Sequence, residues 1–241
     1  MNKLALITGI YKRHELTDYV LNYYRGLIDT LEDTIEIQMF IAGSEGDISK
    51  GLVEKYGFKY IETPNFPLTL KFDTATQLAK NWGPDGLVFI GSDDIISKSI
   101  FELYNELIDN KTEVFGFTDI FFFKGKSLYY WGGYTNHRKG ETSGAGRFIN
   151  KSVMEKLSWS IWGGVKANNG LDSILTNKLK TNNIKVIGRK MKQGVELIMD
   201  VKSNFNICSL NHFQLRNEST SKLLPFININ KIKELIKIVN K

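Results

Sequence analysis

The chain is poor in the residues that usually staple or anchor a protein: among its 241 residues are one cysteine, three histidines and four prolines. The lone thiol, Cys208, excludes an internal disulfide, and no Cys or His spacing around it fits a zinc site. No apolar run reaches the roughly 20 residues that a membrane-spanning helix needs. The first apolar run, residues 4–10, is followed by Tyr11, Lys12 and Arg13 instead of a small-residue cleavage site, so it does not read as a secretory signal. Internal repeats and low-complexity linkers are absent too. The expectation from these absences is an intracellular, cytoplasmic protein folded as one continuous domain over residues 1–241.

What is present is the balance of an ordinary globular domain, 42% hydrophobic and 24% charged. The net charge of +6 is unevenly placed. Residues 181–241 hold eleven Lys and Arg against four Asp and Glu, while residues 1–180 hold twenty-one against twenty-two. A basic final quarter suits a polyanion such as nucleic acid, or an anionic membrane; the plainer alternative is a lysine-rich solvated surface.

The first 115 residues alternate in pattern. Residues 4–10, 35–42, 58–62 and 87–90 are short apolar runs that read as strands, the first of them continuous enough for a strand buried on both faces. Between them, Leu16, Tyr19, Val20, Tyr23, Tyr24 and Leu27 recur at helical spacing, and residues 49–56, 73–81 and 99–108 also read as helices. This order predicts an α/β fold with a Rossmann-like, doubly wound, mostly parallel sheet. Ligands of such sheets bind at the carboxyl ends of the strands, which directs attention to loops 8–13, 42–47, 63–71 and 91–95. After residue 115 the texture changes. Residues 114–123 are aromatic and β-prone, 127–134 read as an antiparallel strand, and 137–146 as a polar, glycine-rich loop. Residues 148–157 read as strand then helix, 170–179 as a helix carrying Asp172, and Ile232, Leu235, Ile236 and Val239 mark a terminal amphipathic helix.

The sharpest local feature is LVFIGSDDII, residues 87–96, where an apolar strand delivers Asp93 and Asp94 into a loop at the ligand edge of the sheet. Adjacent like charges are costly unless solvated or neutralised, and a divalent cation is one solution. Oxygen ligands favour Mg²⁺ or Mn²⁺, which also bind substrate phosphates. The alternative is that Asp94 caps a following helix while Asp93 is solvated.

With this strand order and GSDD after the fourth strand, residues 3–190 resemble glycosyltransferases of the GT-A fold, above all the broad family 2 type. The family's signature is an apolar strand leading into Asp-x-Asp or Asp-x-Asp-Asp; here Gly91 stands where the first Asp of the longer form would be. The resemblance implies a nucleotide-sugar half over residues 1–115 and a smaller antiparallel, acceptor-binding half over 116–241. It implies Asp93 as metal ligand with Asp94 in support, and an Mn²⁺ or Mg²⁺ ion with a UDP-sugar donor. Thr8, Gly9, Tyr11 and Arg13 then begin the grip on the nucleotide, and Ala42 and Ser44 lie near its base. Lys71 and Asp73 precede a helix and face ribose and phosphate, Ser92 flanks the metal motif, and Arg147 binds phosphate or orients an acid beside Gly144, Ala145 and Gly146. For Lys71 and Asp73 the alternative is a surface lysine and a helix cap. Lys202 and Asn206 are expected near the donor phosphates. Asp172 matches the general base of inverting members, with a helix-cap role compatible. His212 matches the late histidine that completes the metal site in this family.

For the acceptor, small viral members of the resembling group that glycosylate hydroxymethylated pyrimidines in DNA fit the basic final quarter, and the strip Phe121, Phe122, Phe123, Tyr129, Tyr130 and Trp131 offers rings for an extruded base. The alternative for the strip is core. Competing readings are a cell-envelope glycan or lipid-linked acceptor, a nucleotidyltransferase, and a non-catalytic binding module. Nothing in the sequence fixes the oligomeric state.

Overall fold

The computed structural model describes residues 1–203 and 210–241 and divides the strands between two sheets. Cys208 and Asn206 lie outside the described residues. In chain order the elements are β1 (Lys3–Gly9), α1 (His14–Asp29), β2 (Glu36–Gly43), α2 (Asp47–Glu54), β3 (Lys59–Glu62), α3 (Leu68–Lys80), β4 (Gly86–Phe89), β5 (Asp94–Ile96) and α4 (Lys98–Asp109). They continue with β6 (Val114–Phe117), β7 (Ile120–Lys124), β8 (Ser127–Trp131), β9 (Arg147–Asn150), α5 (Lys151–Lys156), α6 (Leu171–Thr181), β10 (Val186–Arg189), β11 (Ile198–Lys202), β12 (Leu215–Glu218) and α7 (Ile229–Val239).

The larger sheet has the order β10-β6-β9-β4-β1-β2-β3 and is parallel except for β9, which runs against both β4 and β6. Its centre is apolar on both faces, as the continuous run 4–10 predicts. Leu4, Ala5, Leu6 and Ile7 are all fully buried. Side chains alternate across a strand, so Leu4 and Leu6 enter one apolar core with Tyr24 and Tyr104, while Ala5 and Ile7 enter the other with Phe40, Ala75 and Ala79. Each large side chain so buried contributes roughly 1.5–3 kcal/mol.

The smaller sheet, β12-β8-β7-β11-β5, is antiparallel apart from the β11–β7 pair. It is built from both sides of residue 115: β5 belongs to the first part of the chain, and β9 and β10 from the second part complete the larger sheet. The two halves read from the sequence therefore share strands.

One local expectation changes, and two alternatives left open above are decided. The helix expected at residues 73–81 begins at Leu68, directly after Pro67 at its N-cap, so Lys71 and Asp73 lie within its first turns instead of ahead of it. Proline is well tolerated at a helix start, and there it opens the helix as well as stopping the strand. Asp94 caps no helix; it begins β5. The aromatic strip is mostly core: Phe122, Phe123 and Trp131 are buried, and Phe121 packs on Tyr130 with ring centroids 5.2 Å apart.

Candidate active site

Between β4 and β5 the chain passes from one sheet to the other in a tight turn. The Asp94 amide donates to the Gly91 carbonyl (3.2 Å), and the Gly91 amide donates to the Asp94 carboxylate (2.6 Å). A β-carbon on Gly91 would stand 2.6 Å from Asp93 Oδ1 and 3.1 Å from Asp94 Oδ2. The position that carries a carboxylate in the longer form of the motif is therefore filled here by the two that follow it.

The third carboxylate comes from β11. Its antiparallel register sets Asp200 opposite Asp94, and Asp93, Asp94 and Asp200 each bring a carboxylate oxygen within 4.8 Å of the others. Burial, then the charges of Asp200 and Asp93, hold the Asp94 carboxyl well above its ordinary range. Burial and then Asp93 push Asp200 up to about 7, against the opposing pull of Lys202. Two cations brace the cluster. Arg13 donates to Asp93 (2.6 Å) and to the Ser92 hydroxyl (2.9 Å), and the Lys202 ammonium donates to Asp200 (2.6 Å). Asp200 Oδ1 is nevertheless buried and without a hydrogen-bond partner among the described residues. Three hard oxygen ligands, one of them with an orphaned atom, fit a divalent cation of the Mg²⁺ or Mn²⁺ kind.

Arg13 reaches the cluster because the chain turns sharply after β1. Lys12 and Arg13 both have left-handed backbone (φ 53° and 50°), a conformation that costs a non-glycine residue roughly 1–2 kcal/mol. The turn is held by the Lys12 amide, which donates to Glu45 in the loop after β2 (2.7 Å). Lys71 ties the same loops from below. Only 1% exposed, its ammonium donates to the Ile10 carbonyl (2.7 Å), the Ser44 hydroxyl (2.8 Å) and Asn65 Oδ1 (2.9 Å), and burial lowers its pKa to about 8. All three donors are thereby spent inside the protein, so Lys71 shapes these loops instead of presenting a free cation to ribose or phosphate. Ala42 is wholly buried and its carbonyl accepts from the Ile10 amide (2.9 Å); Thr8 is also buried, whereas Tyr11 is 38% exposed.

Asp73 is turned away from these loops, toward residues 161 and 162. Its carboxylate accepts from the amides of Ile161 (3.1 Å) and Trp162 (3.4 Å), pinning that segment to α3. Burial raises its carboxyl pKa, and the two amide bonds oppose the rise. Thr69 secures the next stretch, donating to the Val165 carbonyl (2.6 Å) and accepting from the Ala167 amide (3.2 Å). This fixes the approach to α6, whose first turn carries Asp172. The Asp172 carboxylate lies so close over Gly144 that a β-carbon there would be 1.9 Å from it, which is what the glycine is for.

These pieces meet in one cavity of about 290 Å³, lined by Asp93, Asp94, Asp200, Arg147 and Asp172 and walled by Phe72, Phe89 and Trp162. Asp93, Asp94, Arg147 and Asp172 were singled out from the sequence; Asp200 was not, although a single acid in the apolar run IMDVK is a signal that could have found it. His212 is not part of the converging carboxylate group. It is exposed, in a short 3-10 turn (Leu210–His212), and lines a second cavity of about 440 Å³ with Trp131, Tyr134 and Arg138. The neighbouring Phe213 packs on Phe122 and Trp131, which keeps the turn on the face of the smaller sheet.

No family model and no curated protein matches the sequence. Solved structures match in fold. S. aureus TarS in complex with UDP-GlcNAc superposes with a TM-score of 0.62 at 15% identity, over 86% of this chain and 60% of that one. TarS in complex with UDP gives 0.61 at 16% identity, over 83% of this chain and 61% of that one, so the chain spans only part of the length of TarS. The catalytic domain of Drosophila β1,4-galactosyltransferase 7 in complex with xylobiose gives 0.55 at 10% identity, over 98% and 80%. A mutant of that enzyme, at 0.55 and 8% identity over 93% and 79%, holds manganese, UDP-Gal and xylobiose. At such identities the likeness establishes architecture: the chain has the GT-A fold, mixed α/β with a mostly parallel sheet.

Proposed function

We propose that this chain is a metal-dependent, inverting glycosyltransferase that moves a sugar from a UDP-linked donor to an acceptor hydroxyl. The observation that carries the reading is the single cavity lined by both the three-carboxylate cluster and Asp172. The UDP, UDP-GlcNAc, UDP-Gal and manganese held by structures of the same fold support it.

Asp93, Asp94 and Asp200 would hold Mn²⁺ or Mg²⁺, which when bound offsets the charge that builds up on the departing nucleoside diphosphate. Arg13 and Lys202, each paired with a carboxylate of the cluster, keep positive charge beside that leaving group. The loops that carry Thr8, Gly9, Tyr11, Ala42 and Ser44 form the nucleotide side, where Tyr11 has an exposed ring to lay against a base. Asp172 takes the proton of the acceptor hydroxyl on a carboxylate oxygen while that hydroxyl oxygen attacks the anomeric carbon from the face opposite the diphosphate. Phe72, Phe89 and Trp162, packed with centroids 5.4–6.1 Å apart, keep bulk water from competing with the acceptor.

The acceptor we put first is a 5-hydroxymethylpyrimidine in DNA, supported by the net charge of +6. A saccharide acceptor of a cell-envelope pathway is the second reading. It is favoured by the cavity lined by Trp131, Tyr134, Asn136 and Gln214, whose rings and amides suit sugar hydroxyls. A mass-spectrometric screen with Mn²⁺ decides between them: UDP- and GDP-sugars are offered with hydroxymethylated DNA, unmodified DNA and an oligosaccharide panel. Transfer to hydroxymethylated DNA alone supports the first reading, and transfer to saccharides alone the second. Turnover of no nucleotide sugar would refute glycosyl transfer altogether and favour a nucleotidyltransferase or a binding module.

A further inference from the structure

The apolar side of α7 is spent inside the protein, where Ile232, Leu235 and Val239 are buried. What the helix shows to solvent is lysine. Lys233 and Lys237 stand about one turn apart on the exposed side, with Lys231 beside them and Lys241 just past the helix end. That end meets the turn between β7 and β8: the Asn240 amide donates to the Gly125 carbonyl (3.5 Å), and Gly125 is flanked by Lys124 and Lys126, both exposed. Lys231 pairs with Glu234 (2.9 Å) and Lys241 with Glu15 (2.6 Å). Lys124, Lys126, Lys233 and Lys237 have no ion-pair partner among the described residues, so the surface carries a local positive surplus of the kind that attracts a polyanion.

This surface runs to the rim of the carboxylate cluster. β7 and β11 pair in parallel, with Phe122 beside Asp200 and Lys124 beside Lys202. Residues two apart on a strand share a face of the sheet, so Lys124 stands on the same face as Asp200, one step beyond it. Lys202, only 6% exposed, is spent on Asp200; Lys124 is the next cation outward and is open to solvent. On the other flank, Lys241 holds Glu15 in the first turn of α1, directly after Arg13, which donates to Asp93. The lysines thus begin where the two cations that brace the cluster end.

We infer that α7 and the β7–β8 turn form the docking surface for the phosphodiester backbone of acceptor DNA, laid along Lys233, Lys237, Lys126 and Lys124 while a base enters the cavity beside Asp172. The inference rests on the acceptor put first above. Lysines spread along one side match a backbone of regular charge and read no sequence, which suits a surface that holds the strand while the cavity takes the base. A bilayer is the poorer match, because an interfacial helix needs an apolar side to bury and that of α7 already packs inside the protein.

The test is fluorescence anisotropy of a labelled hydroxymethylated duplex, titrated with the protein over a series of KCl concentrations, with and without UDP and Mn²⁺. Each phosphate neutralised adds about −0.9 to the slope of log K against log salt, so the unpaired lysines should give a slope of about −3 to −4. The triple variant Lys124→Ala, Lys126→Ala, Lys237→Ala should weaken binding about tenfold or more and flatten the slope by about 2–3. A second triple variant, Lys50→Ala, Lys59→Ala, Lys80→Ala, removes the same charge from exposed positions on α2, β3 and α3 and should bind as the wild type does. Equal losses in the two variants would mean attraction by net charge alone and overturn the surface, as would DNA binding that vanishes when UDP and Mn²⁺ are added. Tighter binding to phosphatidylglycerol vesicles than to DNA, lost in the first variant, would overturn DNA as the occupant. The titration needs no sugar transfer: a chain that docked DNA but turned over no nucleotide sugar would defeat the function proposed above and leave the docking surface standing.

Discussion

Adding Mn²⁺ to the protein should raise its melting temperature, and the rise should fade as the pH falls from 8 to 5.5. Three carboxylates share one small space, and for the pair Asp94 and Asp200 ionisation in the folded state is opposed. The sign follows from linkage. An acid whose folded pKa lies above its unfolded one costs the fold nothing at low pH and destabilises it progressively as pH rises from the unfolded value to the folded one. For Asp200, shifted from 3.8 to about 7, that penalty is about 4 kcal/mol above neutrality. A cation offsets it by binding the ionised form. At a concentration near 100 times Kd at pH 8, the stabilisation is about 2.7 kcal/mol, or roughly 5–11 °C for a chain of this size. At pH 5.5 protonation of Asp200 weakens apparent binding about 30-fold, which leaves about 0.8 kcal/mol and a shift of roughly 2–3 °C. Differential scanning fluorimetry with and without Mn²⁺ at the two pH values reads this directly. A shift of the same size at both, or an undiminished shift in Asp94→Asn, would show that the ion binds elsewhere.

Asp172→Asn should leave the circular-dichroism spectrum unchanged and lower kcat by about 10²–10⁴-fold, the usual contribution of a general base; wild-type turnover in that variant removes the base from the mechanism. Gly144→Ala drives a methyl group into the Asp172 carboxylate, 1.9 Å away, so kcat should fall about 10²-fold while the urea midpoint moves little; unchanged kinetics would mean that the carboxylate position is not used. Lys71→Met removes three hydrogen bonds, to Ile10, Ser44 and Asn65, and should destabilise the protein by about 3 kcal/mol in urea unfolding; a wild-type midpoint would deny Lys71 its role in tying the loops.

Much of this site could be read along the chain, and what could not has a common cause. Asp93 and Asp94 stood out because an apolar run of strand length ended in two acids, a local pattern that topology converts into a position at the sheet edge. Asp172 was legible as an acid opening a helix, and its role as base came from the family resemblance. Asp200 is marked only as the lone acid in the apolar run IMDVK, which does not say where that strand pairs. Its importance comes from the register of β11 against β5, which sets it opposite Asp94, and register between strands far apart in sequence leaves no trace in either strand's periodicity. Lys71 was legible as a charged residue near a helix start, yet its burial under three oxygens depends on loops from three different strands closing over it.

The sequence by itself determined the parallel α/β frame, the loops at its ligand edge and the carboxylate pair on one of them, because hydrophobic periodicity reports which face of each element must be buried. Only the tertiary structure decided that Asp200 completes the cluster, that His212 lies in a separate cavity, and that 114–123 splits between two sheets. Those outcomes turn on which strands pair and in what register, a competition among long-range packing arrangements that no short window of sequence encodes.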